Sequence, residues 1–293
     1  MELTYNSEHR LVGEQAGQTD NSTAFRAKDI RYGRTVFVKA VPIKGESQND
    51  IAEQVKTAER EAKTLMLVGE QTVRVPQVYD YFYDEPAHVF YIIMQNISGP
   101  TLRKKMIAGL SPIMAINAVM DICDTLTIME RYGLAHRDIK PENIIFSPTG
   151  GVSLIDFGSA VLSIRLKEGT VDYQAPEFMD FFYDKMKRTR QVHKRLDRSH
   201  VDIFSLGVIL YEIFTGIKPS FGSEFRPGRD PSAWKIFIEP KEKKPELSDS
   251  INSIIVKCMQ LDPVQRYHNA NALKNELKSA LYKMRKGSKR HDL

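Results

Sequence analysis

His136-Arg137-Asp138-Ile139-Lys140-Pro141-Glu142-Asn143 sets a carboxylate, an ammonium and an amide within a single short stretch. A helix-like run stops before it at Gly133, and two short apolar runs follow, Ile144-Ile145-Phe146 and Val152-Ser153-Leu154-Ile155. The second run ends in Asp156-Phe157-Gly158. Two strands joined as a hairpin would gather Asp138, Asn143 and Asp156 around one point. Hard oxygen ligands with a carboxylate base beside them are what a metal and phosphate site needs.

The chain on either side alternates between strand and helix patterns. Ala24-Phe25-Arg26-Ala27 and Thr35-Val36-Phe37-Val38 flank the turn Tyr32-Gly33-Arg34 and predict paired strands, the second closing on Lys39. Ile51, Val55, Ala58, Ala62 and Leu65 recur at helical spacing and predict a helix from about Asp50 to Leu67. Val73 to Met94 holds two more strands about Asp84-Glu85-Pro86. Gln95-Asn96-Ile97-Ser98-Gly99 then marks a change of composition. Ser111 before Pro112 is an N-cap followed by proline at the first helical position, and the helix it opens carries Met114, Ile116, Val119, Ile122, Leu126 and Met129. Further helices are expected from Ile251 to Gln260 and Asn271 to Tyr282, with residues 217–247 rich in proline, glycine and charge.

The bulk properties narrow the class. A chain of 293 residues with a formal net charge of +5 is mildly basic, shows no basic helix with interleaved aromatics, and calls for no nucleic-acid partner. Cys123 and Cys258 fall in apolar helical patterns and read as buried free thiols. Met1-Glu2-Leu3-Thr4-Tyr5-Asn6 lacks the succession of a signal peptide. The apolar stretch from Ile203 to Phe214 is too short to span a bilayer and carries Ser205 and Glu212, so no membrane segment and a cytoplasmic location are expected.

The two motifs, in this order and at this separation, resemble the eukaryotic-type (Hanks-type) serine/threonine protein kinase family, whose catalytic loop reads H-R-D-x-K-P-x-N and whose metal loop reads D-F-G. Gly169-Thr170-Val171-Asp172-Tyr173-Gln174-Ala175-Pro176-Glu177 is similar to the end of that family's activation segment, which small-molecule phosphotransferases of related fold generally lack. The resemblance covers roughly residues 8–282 and implies an α+β, bilobal fold. Residues 1–95 would be a small antiparallel sheet lobe with one helix and 96–282 a larger, mainly helical lobe. Residues 283–293 would be a basic tail, expected to be disordered. ATP would lie in the cleft, with Mg²⁺, and its γ-phosphate would pass to serine or threonine hydroxyls of protein substrates, this chain among them.

The resemblance also implies roles for individual residues. Asp138 would orient the acceptor hydroxyl and take its proton, and Lys140 would stabilise the transferring phosphate. Asn143 and Asp156 would hold Mg²⁺. Lys39 would hold the α- and β-phosphates, positioned by Glu61, with Glu59 as a local competitor on another face. Gly17, Ala24, Phe37, Met94, Gln95, Ile97 and Ile145 would line the nucleotide, Met94 behind the adenine and the backbone of Gln95 and Ile97 along its edge. Arg137 would receive an activating phosphate, for which Ser163 is the expected acceptor. Thr170 would bond to Asp138 and Lys140, Asp202 would brace the catalytic loop from below, and Arg266 would pair with Glu177.

Three departures from the family pattern stand out. The phosphate-covering loop normally holds three glycines, yet only Gly17 matches, with Thr19 and Ser22 at the other two places and Asp20 near the tip. The valine and alanine expected over the adenine are Ala24 and Phe37. Finally, Lys185, Lys187, Arg188, Arg190, Lys194, Arg195 and Arg198 crowd an apparent insertion at 185–200, which is either a solvated loop or a docking surface for an acidic partner. The poor glycine loop keeps a second reading open, a nucleotide-binding pseudokinase scaffold. A kinase of a small metabolite is the third.

Overall fold

The computed structural model describes residues 2–5, 9–19, 21–148, 150–160, 171–177, 198–219 and 238–288. Expectations on Asp20, Ser163, Thr170 and the basic stretch as far as residue 197 lie outside the described residues. By internal contacts the chain forms two compact units, Met1–Gly99 with Ser153–Ser163, and Pro100–Val152 with Ile164–Leu293.

The first unit is an antiparallel six-stranded sheet with a helix. In chain order its strands are β1 (Glu2–Tyr5), β2 (His9–Thr19), β3 (Ser22–Asp29), β4 (Arg34–Pro42), β5 (Val78–Asp84) and β6 (Val89–Gln95), laid side by side as β1-β2-β3-β4-β6-β5. Alternation along the strands separates two faces. Leu3, Leu11, Ala27, Val36, Val38 and Ile93 build the core on one face, with Phe25, Tyr79, Phe82 and Tyr91 packed against it. Gly13 sits where β2 runs close over β3, and a Cβ there would lie 2.2 Å from the Arg26 carbonyl oxygen. Glycine is therefore required by the close approach of the two paired strands. Helix α1 (Gln48–Gly69) begins at Ser47, whose hydroxyl accepts from the Asp50 N–H, and buries Ala58, Ala62, Leu65 and Val68.

The second unit is mainly helical. Helix α2 (Leu102–Ile107) is capped by Thr101, and α3 (Pro112–Arg131) by Ser111 with Pro112 in the first turn. A 3-10 turn (Pro141–Asn143) and the short strands β7 (Ile144–Phe146) and β8 (Val152–Leu154), paired as a ribbon, follow. Then come α4 (Arg198–Thr215), α5 (Pro240–Lys243), α6 (Asp249–Cys258) and α7 (Ala270–Ser288). Helix α3 is long and apolar enough to cross a membrane by length and composition. In the fold it buries Ala115, Ile116, Val119, Ile122, Cys123, Leu126 and Met129, as a core helix does, and packs on α4 and α7.

One expectation is corrected. The basic segment after Tyr282 is not disordered from residue 283, because α7 continues to Ser288. Lysine and arginine are good helix formers and favour the negative end of the helix dipole, and a helix already nucleated on buried Leu273, Leu277 and Leu281 extends through them.

Candidate active site

Within the first unit, Lys39 lies on β4 between the buried Val38 and Ala40, facing away from the core cluster. Its Nζ is 2.5 Å from Glu61 Oε1 on α1 and 3.0 Å from Asp156 Oδ1. Glu59 pairs instead with Lys63, one turn along α1. Burial alone would lower the Lys39 pKa, but the attraction of Asp156 and then Glu61, with a hydrogen bond to each, outweighs it and raises the pKa well above the usual lysine value. Asp156 sits in a left-handed backbone conformation, φ 63°, and its segment is tied into the unit by the Leu154 N–H, which donates to the Arg74 carbonyl at 2.8 Å. At Gly158 an added Cβ would lie 3.3 Å from each of Asp156 Oδ1, Glu61 Oε2 and Lys39 Nζ. The missing side chain leaves those three charged groups room to meet.

Within the second unit, Asp138 is 2 % exposed. Lys140 Nζ donates to its Oδ2 at 2.9 Å, and Asn143 Nδ2 donates to Oδ2 at 3.0 Å and to the Asp138 carbonyl at 2.9 Å. The loop holding Asp138 is strained and braced. Arg137 is left-handed at φ 64°, a conformation unusual for a side-chain-bearing residue. Asp202 on α4 accepts from the His136 and Arg137 N–H groups at 2.7 Å each. Burial raises the Asp202 pKa from 3.8 to about 6, although those two N–H groups and the Arg137 charge pull it back down. Glu177 forms a two-pronged pair with Arg266 at 2.6 and 2.9 Å, and the arginine also donates to the carbonyls of His200, Gln260 and Leu261.

The nucleotide positions divide between the units. Register places Phe37 opposite both Arg26 and Met94, and Ala24 opposite Lys39, so all of them lie on the sheet face that carries Lys39. The core of Val36, Val38 and Ile93 occupies the other face. Met94 is buried; the Gln95 N–H donates to the Gln77 carbonyl at 2.8 Å, so a contact from Gln95 to a base edge would come from its carbonyl. Ile97 is half-buried. Gly17 follows a bulge in β2 and is exposed, with open space where a Cβ would be, so nothing steric requires glycine there. In the second unit Ile145 is half-buried and bridges to Thr101.

The residues fit a magnesium ion better than a caged metal. Among the described residues no group of three or more His, Cys, Asp or Glu side chains converges. Mg²⁺ needs only one or two protein oxygens because water and substrate phosphates complete its shell. Asn143 spends its amide N–H groups on Asp138, which leaves the amide oxygen as the atom able to meet a cation. Within the first unit, Asp156 carries a carboxylate paired with Lys39.

The sequence reading missed a network around Arg103. This residue of α2 donates to Glu142 at 2.8 Å and to Glu212 at 2.7 Å, and also bonds the Tyr173 hydroxyl. That hydroxyl donates to Glu212 at 2.5 Å, and burial followed by the Glu212 contact raises its pKa. Tyr173 and Glu142 fall inside the quoted motifs, which was a signal. Arg103 carries none, since its partners lie 39 to 109 positions downstream.

Comparison with known proteins agrees with this geometry. The model of the protein kinase domain matches residues 11–277. The chain is 28 % identical over 283 residues to serine/threonine-protein kinase PknB of Mycobacterium leprae, an alignment covering 92 % of this chain and 43 % of that protein. It is 26 % identical over 285 residues to serine/threonine-protein kinase PrkC of Bacillus subtilis, covering 92 % and 40 %. The chain thus spans about two fifths of the length of these relatives.

Proposed function

The chain belongs to the protein kinase domain family, and on that premise we propose that it transfers the γ-phosphate of ATP, with Mg²⁺, to serine or threonine hydroxyls of proteins, itself included. The observation that carries the reading is the buried Asp138 carboxylate, held by Lys140 and Asn143 in a braced loop. Phosphoryl transfer asks for positioning and charge neutralisation more than for covalent chemistry. Bound Mg²⁺ would supply the larger part of that neutralisation.

In this reading Asp138 aligns the acceptor hydroxyl and receives its proton. Lys140 releases Asp138 in part to face the incoming phosphate. Asn143 and Asp156 are the residues that would hold Mg²⁺. Lys39, oriented by Glu61, contacts the α- and β-phosphates. The similarity of Gly169–Glu177 to an activation-segment end favours a protein acceptor over a small metabolite. A location in the cytoplasm and an acidic partner for the 185–200 stretch belong to the same proposal and rest on the sequence.

The test is transfer of labelled phosphate from ATP and Mg²⁺ to the chain and to generic proteins, beside Asp138→Asn. Turnover should fall by about 10²–10⁴-fold in the variant while nucleotide binding stays nearly intact. Near-normal turnover in Asp138→Asn removes the assignment of the base. A second reading, nucleotide binding without transfer, draws on the lone Gly17 near the end of β2. It predicts ATP binding by the wild-type chain and no labelled product under any metal.

A further inference from the structure

The peptide bonds leading into Asp138 are held group by group. The N–H groups of His136 and Arg137 donate to Asp202, and the Asp138 N–H donates to His136 Nδ1 at 3.4 Å. The Arg137 carbonyl accepts from Gln174 Nε2 at 2.7 Å. Only the nitrogen end of an amide can face a carbonyl, so this contact fixes which way Gln174 points.

Gln174 is 7 % exposed, and its amide oxygen is buried with no hydrogen-bond partner among the described residues. A methionine would fill similar space without burying any strongly polar atom. The glutamine therefore carries an unsatisfied acceptor, and the contact it makes in exchange is the one to Arg137.

The backbone from which Gln174 reaches is anchored on both sides. Before it, the Tyr173 hydroxyl donates to Glu212, and the Tyr173 carbonyl accepts from Ser205 Oγ at 2.7 Å. After it, Glu177 is clamped by the buried Arg266. Helix α4 carries Asp202, Ser205 and Glu212, so the same helix holds the Arg137 N–H from one direction and the base of the Gln174 strut from another. Arg137 needs such support because its left-handed conformation is disfavoured on its own.

We infer that Gln174 is a positioning residue. Its amide fixes the Arg137 carbonyl, through that peptide it sets the direction of the Asp138 carboxylate, and it thereby ties turnover to the seating of residues 171–177. This inference rests on Asp138 being the base.

The experiment compares the whole chain with Gln174→Met by two readouts. Steady-state kinetics, normalised to sites counted by nucleotide titration, should show kcat down roughly ten- to a hundredfold with the KM values for ATP and acceptor within about twofold. Amide hydrogen exchange should quicken by about tenfold or more in peptides covering residues 136–139 and stay unchanged in α3. Unchanged exchange at 136–139 overturns the strut, as does faster exchange with an unaltered kcat per site. If the wild-type chain transfers no phosphate, the proposed function is what fails, and the exchange result still decides whether Gln174 holds the loop. Should Gln174→Met not fold, Gln174→Asn, which keeps the amide but falls short of the carbonyl, is read in the same two ways.

Discussion

Phe37 lies opposite Met94 and Arg26 and diagonal to Ala24, on the sheet face that also presents Lys39. An aromatic ring where a small residue is usual would overpack the site by about 1–3 kcal/mol if nothing gave way. A small diagonal neighbour gives way, since diagonal positions on one sheet face are within reach of an aromatic side chain. Stacking of a base on an aromatic ring is worth about 1–3 kcal/mol in single-strand binders. We therefore expect Phe37→Ala to weaken ATP binding roughly tenfold, about 1.4 kcal/mol. Adding Ala24→Val should recover much of the loss, because the two positions share one space. Calorimetric titration of both single variants and the double with ATP and Mg²⁺ decides it: tighter binding by Phe37→Ala, or plain additivity, removes the compensating pair. Residues of this kind were legible in the sequence because their neighbours obey strand and helix periodicity. Lys39 follows the apolar run Val36-Phe37-Val38, although β4 does not close on it as expected and runs on to Pro42, and Glu61 sits beside the buried Ala58, Ala62 and Leu65 of α1. Gln174 was not legible. It lies inside a recognisable motif, but its partner is the backbone of Arg137, and a carbonyl acceptor leaves no mark on residue identity.

At the scale of elements, α4 works as a bracket. Asp202 near its start holds the loop ahead of Asp138, and its pKa of about 6 lies above the ordinary 3.8. The folded chain therefore keeps a proton that the unfolded chain has lost between those values. Stability from this group rises as pH falls from about 6 to about 4, and the ionised form carries a penalty of the order of 3 kcal/mol at neutral pH. Function runs the other way, because a protonated carboxyl accepts less well from the His136 and Arg137 N–H groups. Turnover should thus decline as pH drops through about 6 without loss of fold, and carbon NMR of the Asp202 carboxyl should titrate there. A carboxyl titrating near 3.8 would remove this account. The clamp between Glu177 and Arg266 is a separate case, since the arginine side chain is wholly buried. Glu177→Gln leaves that charge without its partner, at an expected cost of about 3–5 kcal/mol. Chemical denaturation that shows less than about 1 kcal/mol would mean that the three backbone carbonyls suffice on their own. One boundary was legible from its cap, since Ser111 and the Pro112 that follows it start α3 where the pattern says they should, whereas α1 begins at its Ser47 cap, ahead of the Asp50 that periodicity suggested. The strand Glu2–Tyr5 and the short helices Leu102–Ile107 and Pro240–Lys243 were not legible, being too short for periodicity to rise above background.

At the scale of the whole chain, each unit has a core of its own. The first is built on Leu3, Leu11, Ala27, Val36, Val38 and Ile93, and the second includes the interface of α3 with α7, where Leu273, Leu277, Ala280 and Leu281 are buried. A length of 293 residues is compatible with one large domain or two small ones. What a linear reading cannot show is that residues 153–163 rejoin the first unit after more than fifty residues spent in the second. That return depends on partners distant in sequence, such as the Leu154 N–H on the Arg74 carbonyl. Two distinct cores make a distinct prediction. Leu277→Ala removes a side chain with no exposed surface and should destabilise its unit by about 2–5 kcal/mol. Leu11→Ala, equally buried, should do the same to the sheet. Native-state hydrogen exchange reads the two separately. We expect Leu277→Ala to speed exchange in α3, α4 and α7 while β2, β3 and β4 keep most of their protection, and Leu11→Ala to reverse the pattern. Equal loss of protection in both units from either variant would show instead that the chain unfolds as one cooperative body. A local substitution could then not be assigned to one unit by its effect on stability.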